Sequence, residues 1–191
     1  MNKNLEQRIS EAVREKVKIV PYDPGWPALF EREKENLREI LPKTIIKRIE
    51  HFGSTAVPGL ASKPVIDMLV EVTTLAETRD AVVPILESKG YDYFWRPVFD
   101  GSVVYYAWFI KRNSDRKRTH HIHMVESDSD LWDRLYFRDY LCDFPHSARE
   151  YELLKKQLEA KYPNDRIAYT NGKTEFIIKI TQQAKSCYCG S

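Results

Sequence analysis

The stretch from His51 to Val72 carries residues suited to binding a phosphorylated ligand. It contains a glycine-serine turn at Gly53 and Ser54, and the missing Cβ of a glycine lets backbone amides approach an anion. Ser54 offers a hydroxyl and a helix N-cap at the same place. Asp67 follows in an apolar stretch, where a buried carboxylate is costly unless it is paired or bound to a cation. The pattern predicts a phosphate site with a divalent metal held beside it by Asp67.

Each of these residues also has a purely structural interpretation. The turn, continued by Thr55, could be an ordinary strand-to-helix cap, and Asp67 could form a salt bridge to a basic neighbour such as Lys63. His51 could orient a phosphate or only pack beside the turn. The turn is not a P-loop, because no Gly-Lys-Ser/Thr motif follows Gly59, so the sequence does not support kinase chemistry.

Three histidines near the middle of the chain form a second candidate group. On a strand, His121 and His123 point to one face and His120 points to the other. Two imidazoles can ligate an ion or contact a phosphate, but they are not a complete metal site. If this strand lies beside Asp67, the three side chains favour Zn²⁺, Mn²⁺ or Ni²⁺ over Mg²⁺. The alternative is a pair of surface histidines at a sheet edge.

Hydrophobic patterning predicts the elements that position these residues. We expect strands over residues 44–51, 64–72, 103–110 and 118–126, and helices over residues 26–41, 75–88, 130–142, 145–161 and 165–183. A short helical turn should follow Ser54. The strand over 103–110 should be central and covered on both faces, and the polar turn after it predicts an antiparallel hairpin. Helices that follow a small mixed sheet give an α+β domain.

Length and composition favour a single domain in the cytoplasm. The 191 residues carry 30 basic and 28 acidic side chains, a net charge of +2, so nonspecific binding to nucleic acid is not expected. No apolar run is long enough to span a membrane, and three cysteines are too few for a disulfide framework. We predict an accessory helix and lead-in over residues 1–20, one domain over 21–185, and a tail over 186–191.

Several motifs together resemble the GrpB-like family of the nucleotidyltransferase superfamily. They are H-x-G-S-T-A-V-P-G-L from His51, K-P-x-I-D from Lys63, HHIHMV, FRDYL, Y-x-x-x-K and YTNGKTEFI. The resemblance covers nearly the whole chain after Val20, and some relatives are fused to dephospho-CoA kinase. It implies a nucleotidyltransferase-like mixed sheet with helices packed on it and a helical C-terminal part.

The resemblance also implies a set of site residues and a ligand. The ligand would be a nucleotide or another phosphorylated small molecule, with Mg, Mn or Zn as the divalent metal. Asp67 would be the catalytic residue and a metal ligand, with His121 and His123 as the other two ligands. The implied ligand-binding residues are His51, Gly53, Ser54, Thr55, Lys63, Arg138, Tyr151, Lys155 and Lys173. Isolated basic residues on helices are, alternatively, simply solvated.

One position departs from the superfamily pattern. Two-metal phosphoryl transfer needs converging acidic oxygens, and the alternate strand position after Asp67 holds Leu69. Glu71 shares the strand face but would lie about 13 Å from Asp67, too far to ligate the same ion. Two hypotheses therefore stay open: a metal-dependent nucleotidyltransferase with an unknown acceptor, or a noncatalytic ligand-binding or interaction module, for example one accessory to coenzyme A metabolism.

Overall fold

The computed structural model describes residues 15–97 and 105–189, and a five-stranded sheet lies at its centre. The strands are β1 (Ile46–Phe52), β2 (Ile66–Val72), β3 (Asp92–Pro97), β4 (Tyr105–Arg112) and β5 (Arg118–Val125). Their order is β1-β2-β5-β4-β3. β2 and β5 run parallel and the other neighbours run antiparallel, so the sheet is mixed and the α+β prediction is confirmed.

Helices lie on both sides of this sheet and make up most of the C-terminal half. They are α1 (Trp26–Ile40), α2 (Leu75–Glu77), α3 (Val83–Ser88), α4 (Asp133–Asp143), α5 (Pro145–Lys161), α6 (Arg166–Asn171) and α7 (Thr174–Cys189). Two short 3₁₀ turns span Ser54–Ala56 and Asp130–Trp132. None of the helices in the described part of the chain is long and apolar enough to cross a membrane.

One face of the sheet is covered by α1, α2 and α3. The buried face of α1 presents Trp26, Phe30 and Leu37, at the spacing that a helical stripe requires. These side chains pack with alternate residues of β2 and β5. The strand residues that face this core are Ile66, Met68, Val70, Ile122 and Met124. Asp67, His121 and His123, at the intervening positions, therefore point to the opposite face.

The opposite face carries a smaller apolar cluster and the helical C-terminal half. Leu69, Phe52 and Trp108 pack there with Leu131. Further along, α4, α5 and α7 bury Val57, which lies just beyond the glycine turn. Packing from the C-terminal helices therefore fixes the loop that leads from β1 to β2.

One strand was not predicted, and two predicted helices are interrupted. β3 was not predicted, and its presence places β4 next to the sheet edge rather than at the centre, although residues 106–110 are buried as expected. The helix over 75–88 contains a π segment at Thr78–Val82. Pro84 follows two residues after Val82, and a proline in a helix interior lacks its N–H and crowds the preceding turn, which the π segment accommodates. The helix over 165–183 is divided into α6 and α7 at Gly172.

Both ends of the described chain pack on the domain. The Val17 N–H donates to the Pro163 carbonyl oxygen, and Val20 forms an isolated bridge with Ser62. Most of the accessory helix and lead-in predicted over residues 1–20 lies outside the described residues, and Glu15 and Lys16, which are described, are not helical. α7 continues to Cys189 instead of ending before the predicted tail.

Gly172 is close enough to α5 to support a stability prediction. A Cβ added at Gly172 would lie 2.5 Å from Leu158 Cδ2. Gly172→Ala should therefore destabilise the fold by about 1 to 3 kcal/mol through overpacking. In a Leu158→Ala background the same change should stabilise by up to about 1 kcal/mol, because Gly172 has ordinary helical dihedrals and alanine restricts the unfolded chain. Urea denaturation of the four proteins measures this; an equal effect in both backgrounds would contradict it.

Candidate functional site

The parallel pairing of β2 with β5 brings together one carboxylate and two imidazoles. Asp67 is the register partner of His121, and Leu69 is the partner of His123. One ligand atom from each of Asp67, His121 and His123 lies within 4.8 Å of the others. The predicted condition for a shared ion, that the histidine strand lies beside Asp67, is met.

Hydrogen bonds fix the orientation and the tautomer of His121. Its Nε2 lies 3.3 Å from Arg118 Nη1, and its Nδ1 lies 2.9 Å from Asp67 Oδ1. Because a guanidinium only donates, Nε2 accepts from Arg118 and the ring proton resides on Nδ1, which donates to Asp67. Both ring nitrogens are thus in use, and an ion that bound Nε2 would have to displace Arg118.

His123 has a different arrangement of its two nitrogens. Its Nδ1 lies 3.1 Å from the Tyr106 hydroxyl, and its ring stacks on that of Tyr106 at a centroid distance of 5.4 Å. The Phe52 ring meets His123 edge-on at 5.1 Å. Tyr106 is therefore the neighbour that orients the ring, a role that suits the supporting residue of a metal-binding histidine.

The protonation states of these three groups suit a cation. Burial lowers the pKa of His121 to about 4 and that of His123 to about 3, so both rings are neutral near pH 7. Burial alone would raise the pKa of Asp67, but the hydrogen bond from His121 and the charge of Lys63 are among the interactions that hold it at about 2. Metal binding requires a carboxylate and neutral imidazoles, and this set provides them without loss of a proton.

Gly53 lies directly against the Asp67 carboxylate. Its φ of +74° belongs to the left-handed region that favours glycine, and a Cβ there would lie 2.6 Å from Asp67 Oδ2. The predicted turn after it is a single 3₁₀ turn in which Gly53, rather than Ser54, holds the cap position without a side-chain bond. The Ser54 side chain instead shares a hydrogen bond with Tyr151.

His51 and Thr55 support the turn from the other face of the sheet. His51 pairs in register with Met68, so it points away from Asp67, and its ring stacks on Phe30 at 4.7 Å. Its Nε2 lies 3.0 Å from Thr55 Oγ1, and Thr55 is buried. These contacts correspond to the packing alternative for His51.

Arg138 is occupied by contacts between α4 and β1. Its Nη1 donates to the His51 carbonyl oxygen at 2.8 Å and approaches Glu50 Oε2 at 3.3 Å, and its Nε donates to Asp139 at 2.7 Å. A guanidinium with these partners fixes the helix on the sheet and has little capacity left for a ligand.

Lys155 and Tyr151 on α5 are buried and act on the loop after the glycine turn. Lys155 is 2% exposed, and its amine donates to the Ala61 carbonyl oxygen. Glu152 accepts from the Ala61 N–H at 3.1 Å, so two side chains of α5 hold both backbone polar groups of one residue. Burial lowers the pKa of Lys155 to about 7, and burial raises that of Tyr151 to about 12.

Four cations lie on the Asp67 side of the sheet, and three of them have no carboxylate partner among the described residues, whereas Arg166 approaches Glu15. We call Lys63, Arg134, Lys173 and Arg166 the basic cluster. The amines of Lys63 and Lys173 lie 5.0 and 4.7 Å from the centroid of the Tyr169 ring. Burial and the neighbouring positive charges lower the pKa of Lys63 well below its usual value and that of Lys173 to about 8. Within residues 15–97 and 105–189, no carboxylate forms an ion pair with Lys63, Arg134 or Lys173.

The basic cluster combines predicted and unpredicted residues. Lys63 and Lys173 were predicted as ligand-binding residues. Arg134 was missed, although it lies one helical turn before Arg138 on the same helix and the 3.6-residue period could have identified it. Arg166 was missed because nothing in the sequence indicates that the start of α6 lies beside β5.

An aromatic wall of the site was also missed. The Trp108 ring lies 5.2 Å from that of His121, and the Arg96 guanidinium lies over it at 4.5 Å. Trp108 Nε1 is buried and finds no hydrogen-bond acceptor among the described residues. In the sequence this tryptophan is one member of a continuous aromatic run, and only the β4–β5 register shows that it borders the histidines.

Among the described residues, no second carboxylate lies beside Asp67, His121 and His123, although the superfamily pattern predicts one. Leu69 is completely buried and packs with Phe52 and Val125. Glu71 pairs with Val125 and lies two strand positions beyond Leu69. The ligand set around Asp67 is therefore one oxygen ligand and two nitrogen ligands.

The fold and the site define an α+β protein with a mixed sheet, a candidate metal centre and an adjoining basic cluster. Residues 16–183 match the model of the GrpB protein family, and the chain belongs to that family. Glutamate-rich protein GrpB of Alkalihalophilus pseudofirmus is 38% identical over 166 residues, which are 86% of this chain and 94% of that protein. A protein named dephospho-CoA kinase from Mycolicibacterium paratuberculosis is 28% identical over 186 residues, 87% of this chain but 45% of that protein.

Solved structures include a member of the same family. The crystal structure of conserved protein GrpB from Enterococcus faecalis is 36% identical, with a TM-score of 0.76, over 90% of this chain and 99% of that one. The structure of Cid1 in complex with its short product ApU is 12% identical, with a TM-score of 0.48, over 87% of this chain and 50% of that one.

The contact of Gly53 with Asp67 generates a prediction with a matched control. Gly53→Ala should destabilise the protein by about 1 to 2 kcal/mol for the left-handed backbone, and by about 1 to 3 kcal/mol more for the clash with Asp67. Gly59→Ala also places an alanine at a positive φ, +77°, but no atom lies within 4 Å of the added Cβ. Chemical denaturation compares the two variants. Equal losses would show that the carboxylate does not restrict position 53.

The burial of Lys155 predicts a pH dependence of stability. Its pKa is about 7 in the folded protein and near 10.5 when unfolded, so between these values the unfolded state binds the extra proton. The folded state should then gain up to about 1.4 kcal/mol per pH unit from this group as pH rises from 7 towards 10. Lys155→Met should lose that gain, and Lys156→Met, an exposed neighbour, should keep it. Urea denaturation at pH 7, 8 and 9 tests this; parallel pH profiles for all three proteins would contradict it.

Proposed function

We propose that this protein binds a nucleotide, or a closely related phosphorylated ligand, together with a divalent metal at the Asp67 site. The observation that carries the proposal is the convergence of Asp67, His121 and His123 within 4.8 Å of one another, directly beside Gly53. A structural ion pair does not need two neutral buried imidazoles next to a carboxylate, whereas these groups in these protonation states are suitable metal ligands. The Asp67 side chain stays 30% exposed, so a ligand can reach it.

The three side chains fit an ion of borderline softness. One carboxylate oxygen and two imidazole nitrogens suit Zn²⁺ or Mn²⁺ better than Mg²⁺, which prefers an all-oxygen shell. Tyr106 orients His123, and His121 would ligate the ion through Nδ1, the nitrogen beside Asp67, once its ring proton moves to Nε2 and Arg118 no longer donates there. A bound divalent ion would neutralise phosphate oxygens and polarise the phosphorus that they surround.

The basic cluster would bind the phosphates. Lys63 and Lys173 lie near Asp67, whose charge raises the pKa of both, and Arg134 lies near Lys173. None of the three forms an ion pair with a carboxylate in the described chain. Cations held together at this density repel one another, and an anion bound between them relieves that repulsion. A triphosphate supplies several negative charges in one short chain, which is why we favour a nucleoside triphosphate over a neutral ligand.

Nucleotidyl transfer is the reaction that this arrangement supports best. An acceptor hydroxyl would attack the α-phosphorus, an O–P bond would form, and the bond to the diphosphate leaving group would break. The hydroxyl proton would pass to bulk water, because a His121 that ligates the ion has no free nitrogen to accept it. Lys173 and Lys63 would hold the charge that develops on the leaving diphosphate.

A noncatalytic ligand-binding module is the second candidate. Leu69 fills the position of the second acid, and Arg118 occupies Nε2 of His121, so the ligand-free site is not arranged for two-metal chemistry. A protein of this kind would bind a phosphorylated ligand and leave it unchanged. An accessory role in coenzyme A metabolism rests only on similarity to part of a protein named dephospho-CoA kinase, which is association rather than chemistry.

Thermal unfolding in the presence of nucleoside triphosphates with Zn²⁺, Mn²⁺ or Mg²⁺ tests the proposal. A ligand at one hundred times its dissociation constant should stabilise the fold by about 2.7 kcal/mol. The stabilisation should require metal and should disappear in Asp67→Asn and in His123→Gln, since each change removes one ligand. It should persist in Asp128→Asn, which removes an exposed acid elsewhere.

The same samples separate the two candidate functions. Metal-dependent release of diphosphate from the nucleotide, lost in Asp67→Asn, supports transfer. A metal-dependent shift without diphosphate release, across candidate hydroxyl acceptors, supports the binding module. If no triphosphate stabilises the folded protein with any of the three metals, the proposal fails.

A further inference from the structure

A second basic cavity lies next to the Asp67 site, at the edge of the sheet where β2 and β5 begin. Its volume is about 270 Å³, and its lining includes Lys63 before β2, Arg118 at the start of β5, and Arg166 at the start of α6. Because β2 and β5 are parallel, their first residues meet at this edge. Asp67 and His121 lie only a few residues further along the same strands. The cavity and the proposed metal site are therefore neighbours.

The charge of this cavity is strongly one-sided. Seven basic side chains line it, and Glu15 supplies the single carboxylate among its described lining residues. Glu15 lies 2.9 Å from Arg118 Nε and 3.9 Å from Arg166 Nη1, so its charge is already shared between two guanidinium groups. Burial and the charge of Arg166 lower the pKa of Arg118 to about 10, as expected where cations crowd together.

The cavity has a buried base and an exposed rim. The side chains of Arg118 and Arg166 are 3% and 11% exposed. Lys16, Lys18 and Lys117 at the rim are exposed, and none of them forms an ion pair with a carboxylate in residues 15–97 or 105–189. A negative ligand would therefore meet exposed lysines first and buried guanidinium groups deeper in the cavity, which is an effective arrangement for phosphate.

The volume of the cavity limits what can enter. Pockets that enclose a whole small molecule usually measure roughly 300–1,000 Å³. At about 270 Å³ this cavity is too small for a complete nucleotide but large enough for a phosphate or diphosphate group. The rest of such a ligand would extend past Lys63 towards Asp67.

We propose that this basic cavity binds the phosphate end of a second ligand, so that the acceptor in the reaction is itself a small phosphorylated molecule. The assignment of that ligand as an acceptor rests on the proposed function. The binding of an anion in the cavity does not, because the cavity is lined by other residues than Asp67 and His123.

Isothermal titration calorimetry with inorganic diphosphate, in a chelator that removes divalent metals, tests the cavity alone. Lys18→Gln combined with Lys117→Gln removes two rim charges. This pair should weaken diphosphate binding by about tenfold, because losing charge-assisted hydrogen bonds to an anion lowers the affinity by at least that factor. Lys89→Gln combined with Lys179→Gln removes the same net charge at exposed positions outside the cavity lining. This control pair should change the affinity less than about twofold, because salt screens charges that are far from the ligand. Circular dichroism confirms that each pair is folded.

Asp67→Asn separates this inference from the proposed function. Diphosphate binding without metal should be retained or strengthened, because the change removes a negative charge near the basic residues. Nucleotide stabilisation can fail while diphosphate binding persists, which would refute the metal site and leave the cavity supported. Loss of diphosphate binding in Asp67→Asn, or equal effects of the two lysine pairs, would overturn the cavity proposal. Tighter binding of a single-stranded RNA, with the same dependence on the rim lysines, would also overturn it in favour of nucleic acid.

Discussion

The parallel contact between β2 and β5 is the constraint on which the rest of the site depends. Its register sets Asp67 opposite His121 and Leu69 opposite His123, and a shift of one residue would turn one set of side chains to the other face. The alternate positions, Met68 and Ile122, are completely buried against α1, so the register is held by the core. The polar site on one face is thus specified by apolar packing on the other.

The C-terminal helices stabilise the site without supplying most of its ligands. Lys155 and Glu152 hold the backbone of Ala61 in the loop after the glycine turn, and Arg138 fixes α4 on β1. Among the C-terminal residues implied by family resemblance, Lys173, in the turn between α6 and α7, is the one that lies in the basic cluster. Shared family motifs therefore include residues that support the loop as well as residues that face a ligand, and only contacts distinguish the two.

The sequence was sufficient for the local features of this fold and insufficient for those that depend on register. Alternation on β5 correctly placed His121 and His123 on one face, and the apolar stripe predicted α1 to within one residue. β3 was missed because residues 92–97 do not alternate regularly between polar and apolar side chains. Trp108 and Arg166 were missed because their relation to the site arises from tertiary packing, which no periodicity encodes. Position 69 was identified as unusual from sequence alone.

Arg118 belongs to two environments at once, since it lines the basic cavity and also donates to His121 Nε2. An anion that draws this guanidinium into the cavity would let Nε2 take the ring proton and leave Nδ1 free for an ion beside Asp67, and an ion on Nδ1 would in turn release the guanidinium for an anion. Thermodynamic linkage makes such an effect reciprocal, so each ligand would raise the affinity for the other by the same factor. One side chain could in this way couple the order in which two charged ligands assemble on the sheet.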